Sequence, residues 1–231
     1  MILFTITTCC VSNIYTECSV ERSQQVIDPV VQARQSLLQQ RAHLELINYL
    51  ILENGYQSYL EIGIAGGQNF NGVIAMHKVG VDPNPYISTT YCLTSDEFFQ
   101  RNGETFDIIF IDGLHLHEQV LKDIENSLAC LNPNGVIVVH DCTPATEQAQ
   151  SRTPFYGGWN GDVWKAAAYL RMHVDNIGFC VLDMDHGCGV VVPQSTQRLY
   201  PAIALEKLDW DFYLKNRNEL LNVISLEHWL N

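Results

Sequence analysis

The chain has 231 residues, 47% hydrophobic and 17% charged, a composition that suits a folded domain with a substantial core and excludes a disordered protein. Its formal net charge of −13 argues against general affinity for nucleic acid or anionic membrane, because an acidic surface repels phosphates. The eight cysteines, at 9, 10, 18, 92, 130, 142, 180 and 188, include no Cys-x-x-Cys pair, which excludes a dense disulfide framework and a zinc site of that type and points to a reduced, cytoplasmic protein.

Residues 1–32 show no clear period and read as an N-terminal extension. The opening Met1-Ile2-Leu3-Phe4-Thr5-Ile6 carries no basic residue, so it makes a poor signal peptide, and no stretch reaches the roughly 18 apolar residues of a membrane span. Over residues 33–53 the apolar positions Leu37, Leu38, Leu44, Ile47, Leu50 and Ile51 recur at helical spacing, and Asn54-Gly55 supplies a stop.

An alternation of strand and helix follows. Residues 57–62 form a strand that breaks into the small residues Gly63-Ile64-Ala65-Gly66-Gly67 before a helix over 69–77. Residues 78–81 form the next strand, ending at Asp82, and a weak strand over 91–94 leads into a short helix from Asp96. Strands are expected over 106–111 and 136–139, ending at Asp112-Gly113 and His140-Asp141, with a helix over 117–131 and the turn Asn132-Pro133-Asn134-Gly135 between them. Continuous Val/Ile runs alternating with helices indicate a parallel sheet covered on both faces. After a helix over 162–173, two β runs at 178–183 and 189–193 flank Met184-Asp185-His186-Gly187 and make a hairpin, so the last strand enters antiparallel. The tail from 208 to 230 is mostly helical.

A strand that turns through small residues into a helix lets backbone approach a ligand and aims free N–H groups at it. Asp82 follows Gly63 by 19 residues, at the tip of the next strand, where an acid is placed to accept hydrogen bonds from ribose hydroxyls. The unit therefore binds a nucleoside. Gly63-x-Ala65-x-x-Gln68 lacks two of the three glycines of the dinucleotide fingerprint, which weakens an NAD reading.

Over roughly residues 35–195 the sequence resembles the class I S-adenosylmethionine-dependent methyltransferases. More narrowly it is similar to the small-molecule and sugar O-methyltransferase branch, through Glu61-Ile62-Gly63 and the Asp-Gly-x-His segment Asp112-Gly113-Leu114-His115. The resemblance implies an α/β, Rossmann-like, seven-stranded mixed sheet with helices on both faces and an antiparallel terminal hairpin. It implies that Glu61, Gly63, Ala65 and Gly67, with Gly66 in the same turn and Asp112 beside it, shape the cofactor pocket. Asp82 would hold the ribose, and Ser95 and Asp96 would sit by the adenine. Ala65 stands where many relatives carry glycine.

The loop chemistry can be argued separately. Asp112 and Asp141 end strands joined by one helical crossover, so the strands are neighbours about 4.8 Å apart. Two ionised carboxylates at the carboxyl edge of a parallel sheet repel each other unless something positive intervenes, and a divalent cation such as Mg²⁺ is one answer. It would lower the pKa of a substrate hydroxyl and fix its oxygen. Metal-dependent relatives commonly carry a third polar ligand beside the second acid; here Cys142 and His140 flank it, and Cys142 is a poor partner for Mg²⁺. A single acid capping a loop and the other bonding substrate directly is the competing reading.

His115, His117 and His140 are candidate bases, and His115 and His140, next to the acids, are the better placed. The candidate catalytic set is thus His115, His140 and Asp141. Lys165 reads either as functional or as a solvated helix lysine, and the aromatic, glycine-rich segment 154–160 either as a substrate lid or as an ordered loop.

The sequence divides into the extension 1–32, a cofactor-binding domain 33–195 and a helical tail 196–231 packed on that domain. The expected activity is transfer of a methyl group from S-adenosyl-L-methionine to an oxygen of a small molecule, with a carbohydrate acceptor, optional divalent metal, no nucleic-acid or membrane partner, and room for a homo-oligomer. An NAD-linked oxidoreductase and a non-catalytic cofactor-binding subunit are the alternatives.

Overall fold

The computed structural model describes residues 27–231, so the extension lies outside the described residues as far as residue 26. Helix α1 (Pro29–Gln40) begins inside the span read as extension, with Asp28 accepting the Val30 N–H at 2.9 Å and proline in the first turn. The single helix expected over 33–53 is two. Arg41 turns left-handed at φ 53 and its N–H closes on Leu37, after which α2 (His43–Asn54) starts afresh. Ala42 offers this new N-terminus no side-chain cap; Asp185 supplies one from far along the chain, accepting the His43 N–H at 2.7 Å. Gly55 at φ 68 stops α2 as expected.

Strand β1 (Ser58–Ile62) leads through the glycine turn into α3 (Gln68–Gly72), which is shorter than the helix expected over 69–77. The Asn48 side chain bonds Gly72 O and Ile74 N, and Lys78 Nζ bonds Phe70 O and Val73 O, so groups a longer helix would pair are taken up elsewhere. Strand β2 (His77–Val81) follows. The weak strand at 91–94 is reduced to one bridge, Val81 to Tyr91, because Thr94 is drawn into a capping box with Glu97 at the start of α4 (Ser95–Arg101). The remaining elements are β3 (Phe106–Ile111), α5 (His117–Ala129), β4 (Leu131–Val139), α6 (Val163–His173), β5 (Ile177–Leu182), β6 (Cys188–Pro193), α7 (Trp210–Leu220), β7 (Val223–Ile224) and α8 (Leu226–Trp229). The turn expected at 132–135 is the irregular start of β4, with a register shift against β3 and Asn134 at φ 65.

The sheet has seven strands in the order β2-β1-β3-β4-β6-β5-β7. Strands β1 to β4 are parallel, and β6 runs antiparallel to both β4 and β5, which bears out the hairpin. The seventh strand is β7 from the tail, pairing parallel with β5. Both faces are buried. Leu60, Ile62, Ile109, Ile111, Ile137 and Val139 pack on one core with α5, α6 and α7, and Tyr59, Ile108, Phe110, Val136 and Val138 pack on the other with α1 and α2. The tail completes the packing through Tyr213, Leu220 and Leu221 on the first core and Leu226 on the second.

The register matters most for function. Ile62 pairs with Val81 and with Ile111, and Ile111 pairs with Val139. Four strands thus end level, and the residues just beyond them, Gly63, Asp82, Asp112 and His140, meet at one edge. The strand order reverses at β1, with β2 on one side and β3 on the other, and in open α/β sheets ligands bind at such a switch point.

Candidate active site

The glycine turn is held by backbone crowding and by Asp82. At φ 86, Gly63 is the conformation glycine accepts, and a Cβ there would lie 2.2 Å from the Asp112 carbonyl oxygen. Ala65 sits at φ 46, in the region where glycine would be unstrained. Asp82 Oδ2 accepts the N–H groups of Ile64 at 3.0 Å and Ala65 at 3.2 Å, while Oδ1 accepts that of Asn84 at 2.8 Å. A carboxylate has about four acceptor positions, so Asp82 braces the turn and keeps room for one further donor. Glu61 is buried and turned to Tyr59 O–H, at 2.5 Å, and Asn69 Nδ2, at 3.0 Å. Burial pushes its carboxyl up to about 7 against the pull of those two hydrogen bonds.

A cavity of about 740 Å³ opens at this edge. Of the residues expected around a cofactor, Gly63, Ala65, Asp82, Ser95, Asp96 and Asp112 line it; Glu61, Gly66 and Gly67 shape the turn behind the wall. Gln119, which sequence reasoning missed, lines it too, and its Nε2 donates to Ser95 Oγ at 3.2 Å, Asp96 Oδ1 at 3.0 Å and Asp123 Oδ1 at 3.0 Å. Its spacing from Asp123, one helical turn, was the available signal.

The same cavity is lined by Asp112, His115, His140 and Asp141. His115 stands between the acids, Nε2 at 3.2 Å from Asp112 Oδ1 and Nδ1 at 3.1 Å from Asp141 Oδ2. Its ring stacks on Trp159 with centroids 4.7 Å apart. His140 Nδ1 lies 3.3 Å from the same Asp112 oxygen. Imidazoles therefore stand beside both carboxylates, where a proton on either ring would relieve their repulsion. Burial works against charging His115, but Asp112 and Asp141 outweigh it and hold its pKa above the usual value. Burial also opposes ionisation of Asp112, yet its two imidazole partners hold its carboxyl well below the usual range. Asp141 is pushed up by burial, with Asp112 beside it adding to the rise against the pull of His140 and His115.

The segment 154–160 is tied down at its far end. Asn160 Nδ2 donates to Asp141 Oδ1 at 2.5 Å, Trp159 Nε1 to Ser151 O at 2.5 Å, and Gly161 passes so near His115 that a Cβ would lie 1.9 Å from its carbonyl oxygen. The tip is open, with Tyr156 fully exposed. Other candidates lie elsewhere. His117 Nδ1 is 2.9 Å from Asp162, which also receives Arg152, and this cluster is outside the main cavity. Lys165 borders two smaller cavities and lies over the Trp164 ring at 5.7 Å. The Cys142 thiol is buried, pushed up to about 12, and turned toward Val139 O and His140 O, which makes it a packing group and not a ligand.

Residues 83–142 match a family model described as a methyltransferase domain. A provisionally named caffeoyl-CoA O-methyltransferase from Staphylococcus aureus superposes with a TM-score of 0.52 at 16% identity, covering 71% of this chain and 91% of its own. The chain has the fold of this O-methyltransferase. A provisionally named O-methyltransferase from Klebsiella pneumoniae matches this fold with a TM-score of 0.50 at 12% identity, over 77% of this chain and 93% of the other. An O-methyltransferase from Bacillus cereus, solved with S-adenosylhomocysteine, gives 0.49 at 16% identity, over 71% and 88%. Compared by sequence, no curated protein matches the chain. Among the described residues, no helix is long and apolar enough to cross a membrane.

Proposed function

We propose that the protein transfers the methyl group of S-adenosylmethionine to a hydroxyl oxygen of a small molecule, and that the acceptor is a sugar. The charge of the cavity carries this reading. Among the described residues its wall holds four aspartates, Asp82, Asp96, Asp112 and Asp141, and no lysine or arginine. A cofactor bearing a sulfonium and an ammonium group is attracted by such a wall, whereas the pyrophosphate of NAD would be repelled. Gly63 and Ala65 present backbone to the amino acid end, Asp82 has one acceptor position left for a ribose hydroxyl, and Ser95, Asp96 and Gln119 offer polar groups to the base.

The step is an in-line displacement. A lone pair of the acceptor oxygen forms the new O–C bond as the C–S bond breaks toward sulfur, leaving S-adenosylhomocysteine, and the hydroxyl proton passes to neutral His115. Asp141 orients that imidazole and, with Asp112, stabilises it once protonated. His140 keeps the Asp112 carboxylate in place from the other side.

A divalent cation belongs to the proposal as an aid. Donor atoms of Asp112, His115 and Asp141 lie within 4.8 Å of one another, and Asn160 Oδ1, beside Asp141, is buried without a hydrogen-bond partner. Asp112 and Asp141 would hold the ion, which would act as a Lewis acid on the acceptor oxygen. Exhaustive chelation is expected to lower turnover while leaving cofactor affinity intact; full activity after chelation removes the cation from the account.

The free thiols of Cys130, Cys142, Cys180 and Cys188 support a cytoplasmic setting for this chemistry. The direct test is a screen of acceptor classes with methyl-labelled cofactor. Label is expected in an alkali-stable ether on a sugar; transfer to nitrogen or carbon acceptors alone would overturn the oxygen assignment.

A further inference from the structure

The histidine that bonds Asp112 is faced from behind by a second ion pair. Asp185 lies in the tight connection between β5 and β6, where Asp185 and His186 both take positive φ, 41 and 59. Its Oδ2 accepts two hydrogen bonds from His43, one from the backbone N–H at 2.7 Å and one involving Nδ1 at 2.6 Å. Its Oδ1 faces His140 Nε2 at 3.7 Å, an ion-pair distance, and that nitrogen is buried with no hydrogen-bond partner among the described residues. On the other side of the ring, Nδ1 is 3.3 Å from Asp112 Oδ1 and 3.6 Å from Asp141 Oδ1. The His43 ring stacks on Phe110 at 5.2 Å and meets the His140 ring edge-on at 4.6 Å, while His186 approaches from a third side at 6.2 Å.

Capping α2 explains one of these contacts. The N–H of His43 needs an acceptor because Ala42 has none to give, and any asparagine or aspartate at 185 would serve. Capping does not explain why the carboxylate's other oxygen is turned to a buried imidazole nitrogen, nor why His43 packs against that same ring. Those contacts leave His140 little freedom to rotate or to flip, and so fix which nitrogen points at the acids.

We infer that Asp185, braced by His43, is a positioning residue that orients His140 toward Asp112 and Asp141. Neither lines the main cavity, so both act through His140. The kinetic consequence rests on the methyl-transfer reading; the orientation of His140 does not.

Asp185→Asn separates the two roles, since asparagine still caps α2 but carries no charge toward His140. Nitrogen-labelled histidine spectra of the full chain, with no acceptor added, should show an exchange-protected His140 Nε2 proton that is lost in Asp185→Asn while the melting temperature holds. With an acceptor, kcat should fall about 10-fold with KM and cofactor affinity unchanged. His43→Ala should lower kcat by a similar factor, and the double variant by no more than either alone. An unchanged His140 signal in Asp185→Asn overturns the inference whether or not any acceptor is turned over. If the wild type binds cofactor and methylates nothing, the spectrum alone decides, and it is the methyl-transfer reading that has failed.

Discussion

Gly63 and Asp112 approach so closely that the Cβ of any other residue at 63 would lie 2.2 Å from the Asp112 carbonyl oxygen. This contact joins the glycine turn to the loop that carries the acids, so one cannot shift without the other. Gly63→Ala meets both the clash and a φ of 86, and is expected to cost at least ~2 kcal/mol of stability. Denaturant unfolding checks this. A variant as stable as the wild type would show that the two loops are not in contact.

Ala65 gives the opposite expectation. Its positive φ of 46 is borne by an alanine, so Ala65→Gly should relieve strain of about 1 kcal/mol, partly offset by the greater freedom of glycine in the unfolded chain. A small rise in melting temperature with undiminished cofactor affinity is the expected outcome, and a clear fall contradicts it.

Asp82 braces the turn through Ile64 and Ala65 as well as facing the cavity. Asp82→Asn keeps an acceptor for those N–H groups and removes the charge. It is expected to weaken cofactor binding by about 1–3 kcal/mol and to cost about 1 kcal/mol of stability, because the Asn84 N–H loses its acceptor, as measured by calorimetry and thermal unfolding. Unchanged affinity would take Asp82 out of the cofactor site.

Glu61 makes stability depend on pH in an unusual direction. Its folded pKa, raised to about 7 by burial, lies above that of an exposed glutamate, so the folded state binds the extra proton. Its stabilising share is therefore present below the unfolded pKa, near 4.5, and declines as pH rises through 7. Glu61→Gln should flatten this decline and make the free protein about 1–3 kcal/mol more stable than the wild type at pH 8, relative to their difference at pH 5. Parallel stability curves for the two proteins across that range would refute the assignment.

The sheet was legible in the sequence because Ile108 to Ile111 and Val136 to Val139 are buried on both faces and so read as unbroken apolar runs. The level strand ends put Gly63, Asp82, Asp112 and His140, with Asp141 next in sequence, at one edge. What escaped was decided by distant partners. The apolar period runs straight through Arg41, and only the carboxylate of Asp185 makes a second helix start there. Helix α3 stops early because Asn48 and Lys78, from neighbouring elements, take its polar groups. The sequence favoured His115, near Asp112, over His117; Asp162 holds His117 in a separate cluster, and Trp159 stacks on His115. A divalent cation was one of two readings of the paired acids; the nearness of the His115 and His140 imidazoles to both depends on the folded loops and was not legible.

The central claim is that the acidic cavity binds S-adenosylmethionine. Titration calorimetry of the full chain with S-adenosylmethionine, S-adenosylhomocysteine and NAD tests it most directly. The account predicts stoichiometric binding of the first two, weakened in Asp82→Asn, and no heat with NAD. Tight NAD binding with no response to S-adenosylmethionine would contradict it.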